Sequence, residues 1–325
     1  MRSIFAAALV AATVAAVHGP AEAQDYPTRT ITVIVPFTAG GPTDTVTRLV
    51  AEAMQRDLGQ QIVVENVQGA GGTIGAGRVA KAEPDGYTLL LHHIGMATSA
   101  TLYRSLPYNP REAFAPIGLV TDAPMTIVSR ADFPPKNAAE LVAYLKENGD
   151  KVNYANAGIG AASHLCGMLL MREIGTKLTT VPYKGTGPAM TDLIGGQVDV
   201  MCDQTTNTTN QIKAGKIKAY AVTTPKRLEV LPDLPTTQEA GLPGVQVAIW
   251  HGLYAPKGTP DAVVQRLTSA LQKALQDQNV VQRFAELGTA PVAQSDATPE
   301  ALANRLNSEI DRWAPVIKEA GEFAD

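Results

Sequence analysis

Residues 30–44 read TITVIVPFTAGGPTD, and this stretch sets the fold class. Ile31, Val33 and Val35 alternate with Thr32 and Ile34, a period of two that predicts a strand over 30–35. From Thr43 the spacing lengthens. Val46, Leu49, Val50, Ala53 and Leu58 fall on one helical stripe, which predicts a helix over 43–58. Between them Phe37, Thr38, Ala39, Gly40 and Gly41 form a turn in which paired glycines let backbone amides converge at a positive helix N-terminus. Strand, glycine turn and helix together make the building unit of a layered α/β protein.

The unit recurs along the chain. Strands are expected at 62–65 and 88–91 with a short helix over 75–82 between them, and a second series follows residue 125: strands at 152–155, 198–202 and 217–222, helices at 163–174, 188–194 and 207–214. Such alternation predicts largely parallel sheets. Pro260 opens one late helix, and Thr298 with Pro299 opens another reaching about Ala320. Strand-like segments at 125–128 and 247–254 bracket a block of domain size, so domain I is read as 24–124 plus 247–325 and domain II as 125–246. A chain of 325 residues suits two cores, and the cleft between two open α/β domains is the default ligand site.

Composition narrows the function. A net charge of -4 excludes a basic footprint for nucleic acid, and 5% aromatic residues leave little for a base-stacking platform. Arg2 precedes an apolar run over 4–17, Pro20 breaks it, and Ala21 and Ala23 supply small residues for a signal peptidase, so export with cleavage after Ala23 is expected. The run is shorter than the roughly 20 residues a membrane-spanning helix needs. Cys166 and Cys202 both lie in apolar segments and read as buried free thiols.

Candidate chemistry gathers at strand ends. Besides the first turn with Thr43 and Asp44, Gly71 and Gly72 belong to a glycine-rich run, and Gly158, Ile159, Gly160, Ala161, Ser163 and His164 follow the strand at 152–155. All three turns lack cations before Arg78, so they would hold an anion with amides, hydroxyls and helix dipoles. Ser163 reads as a helix N-cap. Residues 75–80 (GAGRVA) match a dinucleotide pattern but sit too far from the preceding strand, there is no Walker A sequence, and no GxSxG elbow supports a hydrolase. His92 and His93, as strand neighbours, are expected on opposite faces, one toward the core and one toward the cleft, so no metal site and no cofactor is expected. Asp203 opens the polar run DQTTNTTN and could accept from a ligand ammonium.

Taken together, residues 35–44 (VPFTAGGPTD), Glu65 and Asn66 with 69–72 (GAGG), 84–90 (PDGYTLL), 181–185 (VPYKG), 192–199 (DLIGGQVD), 231–236 (LPDLPT) and 255–260 (APKGTP) make the chain resemble the Bug family of tripartite tricarboxylate transporter substrate-binding proteins. The resemblance spans nearly all of the mature chain. It implies a two-domain periplasmic-binding-protein fold, type II-like, closing on a small carboxylate that is delivered to the membrane subunits of a tripartite transporter. It also implies that the turns at 37–44 and 158–164 grip carboxylates. Some family members serve sensor proteins, and an enzyme acting on a carboxylate through Ser163, His164 or Asp203 is the rival from another class. The expected protein is a monomer that performs no covalent chemistry. For the ligand, Asp203 points to an acidic amino acid such as aspartate, whereas a flat pocket near Phe37 and His92 or His93 would suit an aromatic acid such as terephthalate; other dicarboxylates stay open.

Overall fold

The structure, a computed structural model, describes residues 26–321 together with 323 and 324. The leader and its cleavage point after Ala23 lie outside the described residues. Parallel strands β1 (Ile31–Val35), β2 (Ile62–Asn66) and β3 (Thr88–His93) alternate with helices α1 (Pro42–Leu58) and α2 (Thr73–Ala80), and α3 (Gly95–Leu102) follows β3. A long strand, β4 (Phe114–Arg130), leads to α4 (Ala138–Asn148), β5 (Asn153–Asn156), α5 (Ala162–Ile174), β6 (Thr179–Pro182), α6 (Thr186–Ile194), β7 (Val200–Gln204), α7 (Thr205–Lys213) and β8 (Ile217–Val222). The chain then returns through β9 (Ala248–Pro256) to α8 (Asp261–Gln276), α9 (Gln278–Glu286) and α10 (Pro299–Ala320).

Two half-sheets with matching topology result, and the protein has a two-domain, type II-like α/β fold. One half runs β2-β1-β3-β9-β4 and the other β6-β5-β7-β4-β8. β4 serves both: Phe114 to Pro124 pairs with β9, and from Met125 onward it pairs with β7 and β8. In each half the strand in the fourth place is antiparallel to its neighbours while the other four share one direction, so the sheets are largely parallel, as expected, with one reversed strand each. The reason is geometric. A strand arriving from the other half comes in at the edge where the parallel strands end, and must run against them.

The amphipathic patterns packed as read. Val46, Val50, Ala53, Met54 and Leu58 of α1 are buried, and α1 stops where Gly59 adopts φ 68° and donates its N–H to Gln55 O. Burying five such side chains is worth about 1 to 3 kcal/mol each before chain entropy is charged against it. Most of β4 was not anticipated, because Pro116, Gly118 and Pro124 interrupt its alternation and the register slips twice, between Pro116 and Gly118 and between Leu119 and Thr121. Helices α3, α4 and α9 were likewise not anticipated.

The cysteines also need correction. Cys166 of α5 and Cys202 of β7 form a disulfide, with Cα atoms 6.0 Å apart and both residues fully buried. Their separation of 36 residues gave no sign that α5 lies directly over β7. Among the described residues no helix is long and apolar enough to cross a membrane.

Candidate functional site

A small cavity lies where the two half-sheets meet. Phe37, Gly41, Pro42, Thr43 and His93 line it from one side, and Ala157, Ala162, Ser163, Thr186, Asp203 and Gln204 from the other. These residues come from strand ends and helix starts: β1 to α1, the end of β3, β5 to α5, the start of α6, and β7 to α7. No lining side chain is a lysine or arginine.

On the first wall, Asp44 turns away from the cavity to brace its own loop. Its Oδ2 accepts from Gly40 N–H and Arg48 Nε, and its Oδ1 from Asn66 Nδ2, while the Asn66 amide also donates to Phe37 O. Burial alone would raise the Asp44 pKa, but the hydrogen bonds from Arg48, Gly40 and Asn66 outweigh it and hold the carboxyl below its ordinary value. Phe37 then stacks on His93 at 4.5 Å and meets His92 edge-on at 5.6 Å. Both imidazoles are buried against Phe37, and of the two only His93 lines the cavity while His92 lies behind it. His92 Nδ1 accepts from His93 N–H, and His93 Nδ1 from Gly95 N–H, so each neutral ring carries its proton on Nε2 and is a donor there. Burial drives the pKa of His92 and of His251, behind Thr43, down to about 3 and that of His93 well below the usual value, so all three stay neutral.

The opposite wall differs from expectation in its donors. Ala157 N–H donates to Ser163 Oγ, Gly158 N–H to Asn156 Oδ1, Gly160 N–H to His164 Nδ1, and Ala161 N–H to Gly158 O. These amides shape the turn and are committed within it. Ser163 is therefore not the N-cap of α5; Ala161 holds that position, and the Ser163 hydroxyl closes the turn one residue inside the helix.

Helix ends supply the available donors instead. α1, α5, α6 and α7 begin at the cavity, and none has a side-chain hydrogen bond at its N-cap. Away from the cavity, α4, α9 and α10 are capped by Asn137, Asp277 and Thr298, while α2, α3 and α8 also lack a side-chain cap. Uncapped N–H groups at the positive ends of helix dipoles are chemically suited to an anion with no cation beside it. Thr186 Oγ1 and Gln204 Oε1 line the same space and have no hydrogen-bond partner of good geometry. Asp203 is the exception in charge. Its Oδ1 accepts from Gln204 N–H and its Oδ2 from Asn207 Nδ2. Burial nevertheless pushes its pKa up to about 6, against the lowering effect of Asn207, Gln204 and Thr186.

Outside the cavity, the remaining candidates form the seam that shuts it. Tyr103 OH donates to Ile159 O and Thr98 Oγ1 to Gly160 O, both across the seam. A Cβ on Gly71, at φ 59°, would lie 1.9 Å from Ile159 O, and one on Gly185 would lie 2.1 Å from Thr38 Oγ1. Gly158 approaches Gly71 N, Gly72 packs on His92 and Phe37, and Ala39 and Gly40 border the start of α6. Of the residues singled out in the sequence, then, Phe37, Gly41, Thr43, His93, Ser163 and Asp203 line the cavity. Thr38, Ala39, Gly40, Asp44, Gly71, Gly72, His92, Gly158, Ile159, Gly160, Ala161 and His164 brace or seal it. Ala157 and Thr186 were missed as lining residues, and Pro42, Ala162 and Gln204 were included only as members of their runs; Thr186 follows the strand-to-glycine turn at 181–185, a fourth copy of the pattern seen at the other turns. No group of three His, Cys, Asp or Glu placed to hold a metal ion occurs among the described residues.

Comparison with known proteins gives consistent matches. The pattern of the family described as Tripartite tricarboxylate transporter family receptor matches residues 46–322. The fold resembles periplasmic binding protein BugD at TM-score 0.90 and 54% identity, covering 92% of this chain and 100% of that one. It resembles MatC from Rhodopseudomonas palustris with bound malate at TM-score 0.87 and 44% identity, over 90% and 100%. A further Rhodopseudomonas palustris protein, solved with adipate, aligns at TM-score 0.86 and 34% identity, over 91% and 98%.

Proposed function

Because the chain belongs to the tripartite tricarboxylate transporter receptor family, whose members are periplasmic solute-binding receptors, we propose that it captures a small dicarboxylate or acidic amino acid between its two domains and delivers it to the membrane subunits of such a transporter. The single observation carrying this reading is the convergence of four uncapped helix N-termini on one cation-free cavity. One carboxylate would rest on the first turns of α1 and α5, with His93 Nε2–H and the Thr43 hydroxyl as further donors. The second end of the ligand would meet Thr186, Gln204 and Asp203. Malate and adipate in the two relatives support a ligand of that class.

We place the domain boundaries at 24–124 plus 247–325 and 125–246, since β4 changes partners between Pro124 and Met125. Export with cleavage after Ala23, a monomeric receptor and the absence of turnover complete the reading. Isothermal titration against C4 to C6 dicarboxylates, aspartate, glutamate and terephthalate tests it: saturable binding of at least one without product formation is expected. Silence across the whole set, or product formation lost on His164→Ala, overturns it.

A further inference from the structure

Three buried residues that do not line the cavity join its two most important corners. Ser163 opens the second wall on α5, and Asp203 with Gln204 ends it on β7. Cys166 lies one helical turn after Ser163, and Cys202 immediately precedes Asp203, so the disulfide links the start of α5 to the end of β7. Tyr154, fully buried on β5, makes the same connection with its hydroxyl, which donates to Ser163 O at 2.7 Å and accepts from Cys202 N–H at 3.2 Å. β5 pairs with β7 only at Tyr154 with Val200 and Ala155 with Met201, so the Cys202 amide lies beyond that pairing and finds a side chain instead. Gly167 makes room for the arrangement, since a Cβ there would sit 2.5 Å from the Tyr154 ring.

We propose that Tyr154 and the Cys166–Cys202 disulfide act as a bracket that sets the spacing between the α5 N-terminus and the Asp203–Gln204 corner, and through it the affinity and chain-length selectivity of the site. These are positioning residues, since none of the three borders the cavity. A hydrogen bond and a covalent link thus join two segments that belong to different elements and otherwise meet through apolar packing. Because the ligand would span both corners, a change in their separation alters the fit of a short dicarboxylate differently from that of a long one. The bracket's effect on ligand rests on the function proposed above; its effect on the two segments does not.

The test uses the full mature chain as wild type, as Tyr154→Phe, which keeps the ring and removes only the hydroxyl, and as Cys166→Ala with Cys202→Ala. Amide hydrogen exchange without ligand should quicken at 162–165 and 203–206 in both variants, while α4 and the first half-sheet stay as in wild type. Titration with malate and with adipate should show affinity lost by about tenfold for the better binder, and a changed ratio between the two. Exchange that is unchanged, or raised uniformly across the second half, overturns the bracket whether or not either acid binds. Wild type that binds neither acid counts against the proposed ligand class, and the exchange comparison still decides the bracket. Binding in Tyr154→Phe with affinity and ratio both unaltered also overturns it.

Discussion

A carboxyl group buried among helix N-termini with no cation beside it ionises at a cost, and Asp203 is such a group: burial lifts it to about 6. The direction of its pH effect depends on the ligand. A dianionic dicarboxylate is better tolerated when Asp203 is protonated, so its affinity should fall as pH rises through about 6, approaching tenfold per pH unit above it. An acidic amino acid carries an ammonium that the ionised form attracts, so its affinity should rise over the same range and then level. Calorimetry from about pH 5 to about pH 8 on wild type and Asp203→Asn checks this, and the variant should flatten both profiles; a flat wild-type profile for every ligand that binds removes Asp203 from the site. Stability follows the same group. Its folded pKa lies above the value of 3.8 expected for the unfolded chain, so its contribution is complete below 3.8 and is lost as pH rises through about 6. Asp203→Asn should therefore gain in Tm relative to wild type between these pH values, by at most about 3 kcal/mol in stability. Asp203 was legible in the sequence because a polar run followed an apolar strand. Gln204 stood in that run unremarked as a lining residue, since the direction of a side chain at a strand end is set by the helix that follows it.

Side chains close the starts of α4, α9 and α10, whereas the four helices that begin at the cavity, α1, α5, α6 and α7, carry no such cap. Thr298 accepts from Ala301 N–H and completes α10, whereas Ala161 begins α5 with nothing to offer. Ala161→Ser should supply the missing cap. The unliganded protein should gain up to about 1 kcal/mol, because the new hydroxyl satisfies an N–H of the first turn. Carboxylate affinity should fall about tenfold, because ligand and cap then compete for the same donors. Thermal melts and calorimetry on one preparation check both; a variant that gains stability with undiminished affinity shows that α5 does not hold the ligand. Periodicity located α1, α5 and α7 well, but it could not reveal that the amides of 157, 158, 160 and 161 are consumed within their own turn. Glycine content reports that a tight turn is possible, not which acceptor each amide finds.

At the seam between the two domains, backbone passes backbone. Gly71 meets Ile159 O there, where an added Cβ would come within 1.9 Å, while Gly59, at a similar φ of 68°, has open space around it. Gly71→Ala and Gly59→Ala should thus share a modest conformational penalty of about 1 kcal/mol, but only Gly71→Ala should hold the domains apart. Small-angle scattering with and without ligand is expected to show compaction in wild type and Gly59→Ala and none in Gly71→Ala, together with an affinity loss of at least about tenfold. Equal compaction in all three proteins contradicts the seam as the closing contact. Hydrophobic period, turn residues and helix caps are local, and from them alone the chain declared an α/β protein with amide-rich strand ends and no cationic clamp. Which cysteines meet, which way His92 and His93 turn, and which helix ends stay open toward a shared cavity are distances between residues remote in sequence. Those were decided only when β4 and β9 brought the two half-sheets together, because packing, unlike periodicity, is a property of neighbours that the chain does not place side by side.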